Sequence, residues 1–303
     1  MKKIKLLLCL FMLTTLCGCS NSNKNKSSKT LNAAMFWIST SLDPTNNYDG
    51  WVLSRIGVGE TLLKLNEKYE VEPSLAKSYE QIDDTTWKLT LKDSITFSNG
   101  KKVTGENVKA CLERAFEKNT RAIDYFDLNH VEADKQDVYL YLNKSSGAIL
   151  NNLCEPLFTI YDASQSEEDI ANNPLCTGPF VVDDFVSEKT IDTSKNKKYY
   201  DGKAKLDHVH FSQVADSDAR VLALQSGEVD LANTIDYSSL KLFRNNKDYQ
   251  VLEVLGPRTN VIYMNNETTF LSDLTIRKAL SYSVDRKSIV KLIGGKEATA
   301  LYS

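Results

Sequence analysis

The chain lacks the residue patterns that enzymes use. Among its 303 residues there is no Gly-x-Ser-x-Gly elbow, no Walker loop, no Gly-x-Gly-x-x-Gly turn and no His-Glu-x-x-His pair. The commonest nucleophile, phosphate, dinucleotide and zinc devices are therefore missing. Histidine is scarce, with three in all, of which His208 and His210 share one face of an expected strand. Two ligands at that spacing need a third to make a metal site, and solvated or core-satisfied imidazoles are the plainer reading. Asp83 and Asp84, like Asp183 and Asp184, are adjacent. On extended backbone their side chains point apart, so they read as turn residues and not as an acid–base pair. A basic surplus is missing too: 37 Lys and Arg face 40 Asp and Glu, for a formal charge of −3. No basic surplus is there to replace counterions on phosphates, which argues against nucleic acid. No enzyme and no cofactor is expected.

What remains is an ordinary globular composition, 42% apolar and 25% charged, long enough for about two domains of ~100–200 residues each. Lys2, Lys3 and Lys5 followed by the apolar run 6–16 form a leader too short to span a bilayer as a helix. It ends in Leu16-Cys17-Gly18-Cys19, which looks like a bacterial lipobox, with cleavage after residue 18 and acyl chains on Cys19. The polar stretch 19–30, with little to bury, suits a tether. Attachment to membrane would then rest on the acyl chains, since an acidic chain does not adhere to anionic headgroups. Of the other cysteines, Cys111 falls on a helical apolar stripe and reads as a small buried hydrophobe. A disulfide between Cys154 and Cys176, allowed outside the cell, is the less favoured reading.

Local structure is clearest over 57–116. Trp87, Leu89 and Leu91 alternate with Thr86, Lys88 and Thr90, the pattern of a half-buried strand. Asn99 and Gly100 supply turn chemistry. Thr104 then caps a helix whose Val108, Cys111, Leu112, Ala115 and Phe116 make one stripe. Further strands are expected over 31–38, 128–133, 137–142, 181–186, 189–193, 208–211, 229–231, 250–255 and 260–265. Helices are expected over 148–153 and 167–171, from Asp216 to a Gly227 stop, over 238–243, and as a pair around a cap at Asp285. Strands and helices mix throughout, giving an α/β class in the broad sense.

Read in order, several short strings resemble one family. They are Gly59-Glu60-Thr61-Leu62, Glu72-Pro73-Ser74-Leu75-Ala76, the stretch 84–91, Phe97-Ser98-Asn99-Gly100, the helix 104–116, Cys176-Thr177-Gly178-Pro179, the stretch 223–231 and the stretch 276–290. Together they are similar to the extracellular solute-binding proteins of family 5, which serve peptide and nickel ABC transporters. Cys176 stands where the family has the first Gly of a Gly-Thr-Gly-Pro turn. The resemblance covers nearly all of 33–303 and implies a type II periplasmic-binding-protein-like fold, with mixed sheets and two lobes. It implies a discontinuous domain I (31–50 and 175–265), an inserted smaller domain II (51–174) and, over 266–303, the start of a second lobe that is largely missing. The expectation is accordingly a fragment or truncated gene product with apolar surface exposed where that lobe would dock.

The function implied is a lipid-anchored subunit at the outer face of the bacterial cytoplasmic membrane. It would capture peptides and deliver them to ABC permease subunits. Nickel held by a small chelator is the alternative within the family, and a non-transporting sensor or partner-binding lipoprotein is the rival outside it. An Arg after the capped helix, Arg121, matches the nickel branch, whereas the arginine expected soon after Pro156 is absent. Candidate ligand-binding residues are Asn47, Tyr48 and Trp51 in an Asn- and Tyr-rich loop, Arg121 and Tyr125 after the helix, and Asn260 and Tyr263 on an expected strand. Trp87 is assigned to packing.

Overall fold

A computed structural model describes residues 28–254, 256 and 260–293. The leader and Cys19 lie outside the described residues. In chain order the elements begin with β1 (Thr30–Met35), α1 (Gly50–Arg55), β2 (Leu63–Leu65), β3 (Val71–Pro73), β4 (Ala76–Gln81) and β5 (Thr86–Leu91). They continue with α2 (Gly105–Lys118), α3 (Ala122–Tyr125), β6 (Leu128–Asp134), β7 (Asp137–Leu142), α4 (Ile149–Asn152), a 3-10 turn at Pro156–Phe158 and α5 (Glu167–Asn172). Next come β8 (Phe180–Val186), β9 (Thr190–Lys195), β10 (His208–Gln213), α6 (Ser217–Ser226) and β11 (Leu231–Ala232). A 3-10 turn at Tyr237–Leu242 precedes the last two helices, α7 (Leu274–Ser283) and α8 (Arg286–Ile293).

Two larger sheets carry the structure, beside a two-stranded antiparallel ladder of β2 and β3. The first has the order β11-β1-β10-β9-β8, with β1 parallel to both neighbours and the remaining pairs antiparallel. The second, β4-β5-β7-β6, is antiparallel throughout. Alternation sets its faces: Leu89 lies opposite Val138 and Trp87 opposite Leu140 on the inner side, while Lys88 lies opposite Tyr139 outside. Across the inner side runs α2, burying Val108, Cys111, Leu112 and Ala115 as its stripe predicts. Its N-terminus is fixed by Asn107, whose Oδ1 accepts from the backbone N–H and the hydroxyl of Thr104 at 3.0 and 2.9 Å. A continuous apolar core runs from Ala33 and Met35 in the first sheet through α2 to Val209 and Phe211, with Tyr161, Phe97 and Phe158 its largest fully buried side chains.

Polar ties join the segment around residues 57–60 to the chain beyond residue 176. Glu60 accepts from the hydroxyls of Thr177, Tyr199 and Tyr200 at 2.8, 3.1 and 3.3 Å. Burial raises its carboxyl above the ordinary range, and those donors oppose the rise. Lys198 reaches over Gly100 to donate to the Asn99 carbonyl at 2.6 Å.

Two expectations need correction. The strands expected over 250–255 and 260–265 do not form among the described residues, which run there as irregular chain. The described residues there pair with no strand of either sheet, and Leu252, Val254, Ile262 and Tyr263 stand exposed with no apolar face against a core. The helix expected over 238–243 is a 3-10 turn. The cysteines at 111, 154 and 176 are all free. Burial pushes the Cys111 thiol to about 12 and the Cys154 thiol to about 11, so neither is a ready nucleophile.

Candidate ligand-binding wall

The loop between β1 and α1 meets the end of α2, and five of the sequence-selected residues come together there. Arg121 is the centre. Its guanidinium lies 3.8 Å from the centroid of the Tyr48 ring, close enough for a cation–π contact. It donates through Nη1 to the Asn47 carbonyl at 3.0 Å and through Nη2 to the Tyr125 hydroxyl at 2.7 Å. Other N–H groups of the guanidinium stay available to an incoming acceptor. Asn47 adopts the left-handed backbone region, φ 47°, which Asn tolerates better than most residues, and this turn aims its carbonyl at Arg121.

Trp51 stands one turn further on α1 and donates from Nε1 to Glu155 Oε1 at 2.8 Å. Gly50 permits the approach. A Cβ at that position would meet the Pro156 carbonyl, so only glycine lets α1 rest on the turn that carries Glu155. Burial raises the Glu155 carboxyl above its ordinary range, opposed by Trp51, Tyr125 and the Arg121 charge. Burial and the Glu155 charge likewise push the Tyr125 hydroxyl up to about 12, so it stays protonated. Below, Phe116, Phe126, Phe158 and Tyr125 pack ring to ring, with Phe126 and Phe158 centroids 5.0 Å apart. On the outside Tyr48 is 54% exposed and Trp51 38%. The result is a wall with a rigid back, two partly exposed aromatic rings, each with a guanidinium over one face (Arg121 on Tyr48, Arg55 5.6 Å from the Trp51 centroid), and one carboxyl group of raised pKa. Such a surface can accept a carboxylate and stack a planar group; it holds no group placed for bond chemistry.

Asn260 and Tyr263 do not join this cluster. Both lie on exposed irregular chain, with no hydrogen bond or ring contact among the described residues. Three contributors escaped the sequence reading: Glu155, Asn119 and Arg114. Asn119 follows α2 and bonds both to the loop and to Arg121. Arg114 grips Asp43 with both terminal nitrogens, at 2.9 and 2.6 Å, and also meets Thr45 and Tyr161 hydroxyls and Glu167. Burial works to raise the Asp43 carboxyl, but the bonds from Arg114 and Thr45 outweigh it and hold it below the ordinary value. The only sequence signals were an arginine beside an apolar stripe and an asparagine at a helix end. Beside this pair lies a shallow recess of about 250 Å³ lined by Asp43, Thr45, Asn46, Lys118 and Glu167, whose charges are already paired within the network. Among the described residues no group of three or more His, Cys, Asp or Glu could hold a metal ion directly. None of the described helices is long and apolar enough to cross a membrane.

Residues 70–303 match the model of the bacterial extracellular solute-binding proteins, family 5 Middle. The chain is 32% identical over 274 residues to the nickel-binding protein NikA of Staphylococcus aureus (strain NCTC 8325 / PS 47), covering 90% of this chain and 54% of that one. It is 28% identical over 247 residues to the glutathione-binding protein GsiB of Escherichia coli O1:K1 / APEC, covering 78% and 48%. Among solved structures, NikA from Staphylococcus aureus in complex with Ni(L-His)2 superposes with a TM-score of 0.78 at 31% identity, over 88% of this chain and 56% of that one. The nickel ABC transporter from Bacillus halodurans gives 0.74 at 30%, with the same coverage. The chain thus spans about half the length of the curated relatives it matches, and the fold is that of type II periplasmic binding proteins. With the fold, the ordered strings and the matched residues in agreement, the chain belongs to the bacterial extracellular solute-binding proteins of family 5.

Proposed function

We propose that this chain is the solute-capturing part of an ABC importer and that its wall takes a small, carboxylate-bearing, amino-acid-derived solute, delivered as a nickel chelate. The observation that carries the reading is Arg121: a guanidinium held from behind by Asn47 and Tyr125, flanked by the exposed rings of Tyr48 and Trp51. A carboxylate fits its spare donors, and a planar group such as the imidazole of a histidine chelator fits the aromatic rings. Similarity to relatives whose names specify nickel favours the metal. With no direct metal cluster among the described residues, nickel bound at this wall would be recognised through its chelator. The peptide expected from the sequence becomes the second reading, favoured by Glu155, a carboxylate in the same cluster that suits a free ammonium group. The two readings part at that residue, because a chelate has its amines on the metal and offers Glu155 none.

Segments 31–50 and 175–265 would form one domain and 51–174 the inserted one, with Tyr48 and Arg121 meeting across them. Acyl chains on Cys19 would hold the protein at the outer face of the cytoplasmic membrane for delivery to permease subunits. Cys19→Ala should release the protein or leave it unprocessed, and unchanged membrane attachment would refute the anchor. Native mass spectrometry of the purified chain with nickel(II) and L-histidine, and separately with mixed tripeptides, tests the ligand. The expected result is a metal-plus-histidine mass retained by Glu155→Gln. A peptide mass lost in Glu155→Gln would reverse the order of the readings, and uptake of neither probe would sink both.

A further inference from the structure

Asn119 takes part in the wall without facing it. It is 6% exposed, yet its amide is used on both segments that make the site. Nδ2 donates to the carbonyls of Thr45 at 3.0 Å and Asn47 at 3.2 Å, and Oδ1 accepts from the Arg121 backbone N–H at 3.0 Å. The Asn47 carbonyl is the one that also receives Arg121 Nη1, so one oxygen joins amide and guanidinium. We infer that Asn119 is a positioning residue for solute capture, fixing Arg121 against the Tyr48 ring while touching no solute itself. This deepens the reading of the solute site given above and rests on it.

The residue type follows from the geometry. Aspartate could accept from the Arg121 N–H but, when ionised, has no donor for two carbonyls and sets a negative charge beside them. Alanine leaves the carbonyl of buried Thr45 without this donor. Asn47 holds a left-handed backbone that a non-glycine residue keeps only under restraint, and its carbonyl is restrained by two donors, one from Asn119. Loss of Asn119 should therefore loosen the loop and the guanidinium together.

The test is Asn119→Asp in the full chain, titrated calorimetrically with nickel(II) in excess L-histidine and with a tripeptide, from about pH 7.5 down to about pH 5. At the upper pH the affinity should fall roughly tenfold or more below wild type for the probe that binds. The ratio of variant to wild type should then narrow as the pH falls, because burial and the two facing carbonyls raise this carboxyl above the ordinary aspartate range, and its protonated form regains one O–H donor for one of the two carbonyls. Taking the ratio removes pH effects common to both proteins. A ratio near one at the upper pH, or a loss that does not change with pH, overturns the assignment. Hydrogen exchange without solute gives a second readout that stands even if wild type binds neither probe, the outcome that sinks the solute reading alone. Peptides covering residues 43–51 should exchange faster in the variant while those covering β5 and β7 stay unchanged. Equal exchange in 43–51, or faster exchange in all three, overturns a positioning role.

Discussion

Arg114 carries the most concentrated electrostatics of the described residues. Its side chain is nearly buried and pairs with Asp43, which is 8% exposed. Arg114→Met should leave that carboxylate without its two-point partner and cost about 3–5 kcal/mol; urea unfolding that shows less than about 1 kcal/mol would contradict the role given to it. Asp43 and Asp49 should then respond to acid with opposite signs. Asp43 is held below its ordinary value, so its contribution is present above that value and lost as pH falls through the folded one. Asp49, buried and bonded to Asn46 Nδ2, is raised by burial from 3.8 to about 6. Folded protein therefore binds this proton more tightly than unfolded chain, and the ionised form is penalised above about pH 6. Asp49→Asn should stabilise the protein by about 1–3 kcal/mol near pH 7.5, with the gain fading toward about pH 4. Melting curves of both proteins across that range check it, and a gain that grows on acidification has the wrong sign. None of this was legible in the sequence. Arg114 and Asp43 stand 71 residues apart, and spacing along a chain does not record which charges meet across a core.

Elements were more legible where a single period sets a single face. The alternation over 86–91 and the stripe from Val108 to Phe116 came through because each needs only local geometry and one buried side. Leu112, fully buried beneath α2, should cost about 2–5 kcal/mol as Leu112→Ala. The alternation beyond residue 250 failed for a physical reason. It defines two faces but supplies no neighbouring strand, and an unpaired strand has no ladder to hold it. A close approach between elements is equally silent in sequence: nothing around Gly50 signals it, and only the Pro156 carbonyl behind it explains the residue. Gly50→Ala should push α1 off that turn, destabilise by about 1–3 kcal/mol and shift Trp51 fluorescence as its bond to Glu155 is lost. An unmoved emission spectrum would show that the helix does not depend on this contact.

For the molecule as a whole, the family strings gave the fold correctly, and the loop at 45–48 and the residues after α2 gave most of the wall. The missing parts were the support behind it, Asn119, and Glu155 within it, because neither a residue that positions another nor a carboxylate brought in by a close approach leaves a pattern of its own. In the function proposed above, that support would turn exposed aromatics and a surface arginine into a prepared site, and preparation lowers the ordering cost of binding. Arg121 is where solute capture at this wall is tested most directly. Calorimetric titration of nickel(II) in excess L-histidine, and of a tripeptide, into wild type and Arg121→Met should show saturable uptake of one probe by wild type and at least roughly tenfold weaker uptake by the variant. Equal affinity in the two proteins, or uptake of neither probe by wild type, would contradict it.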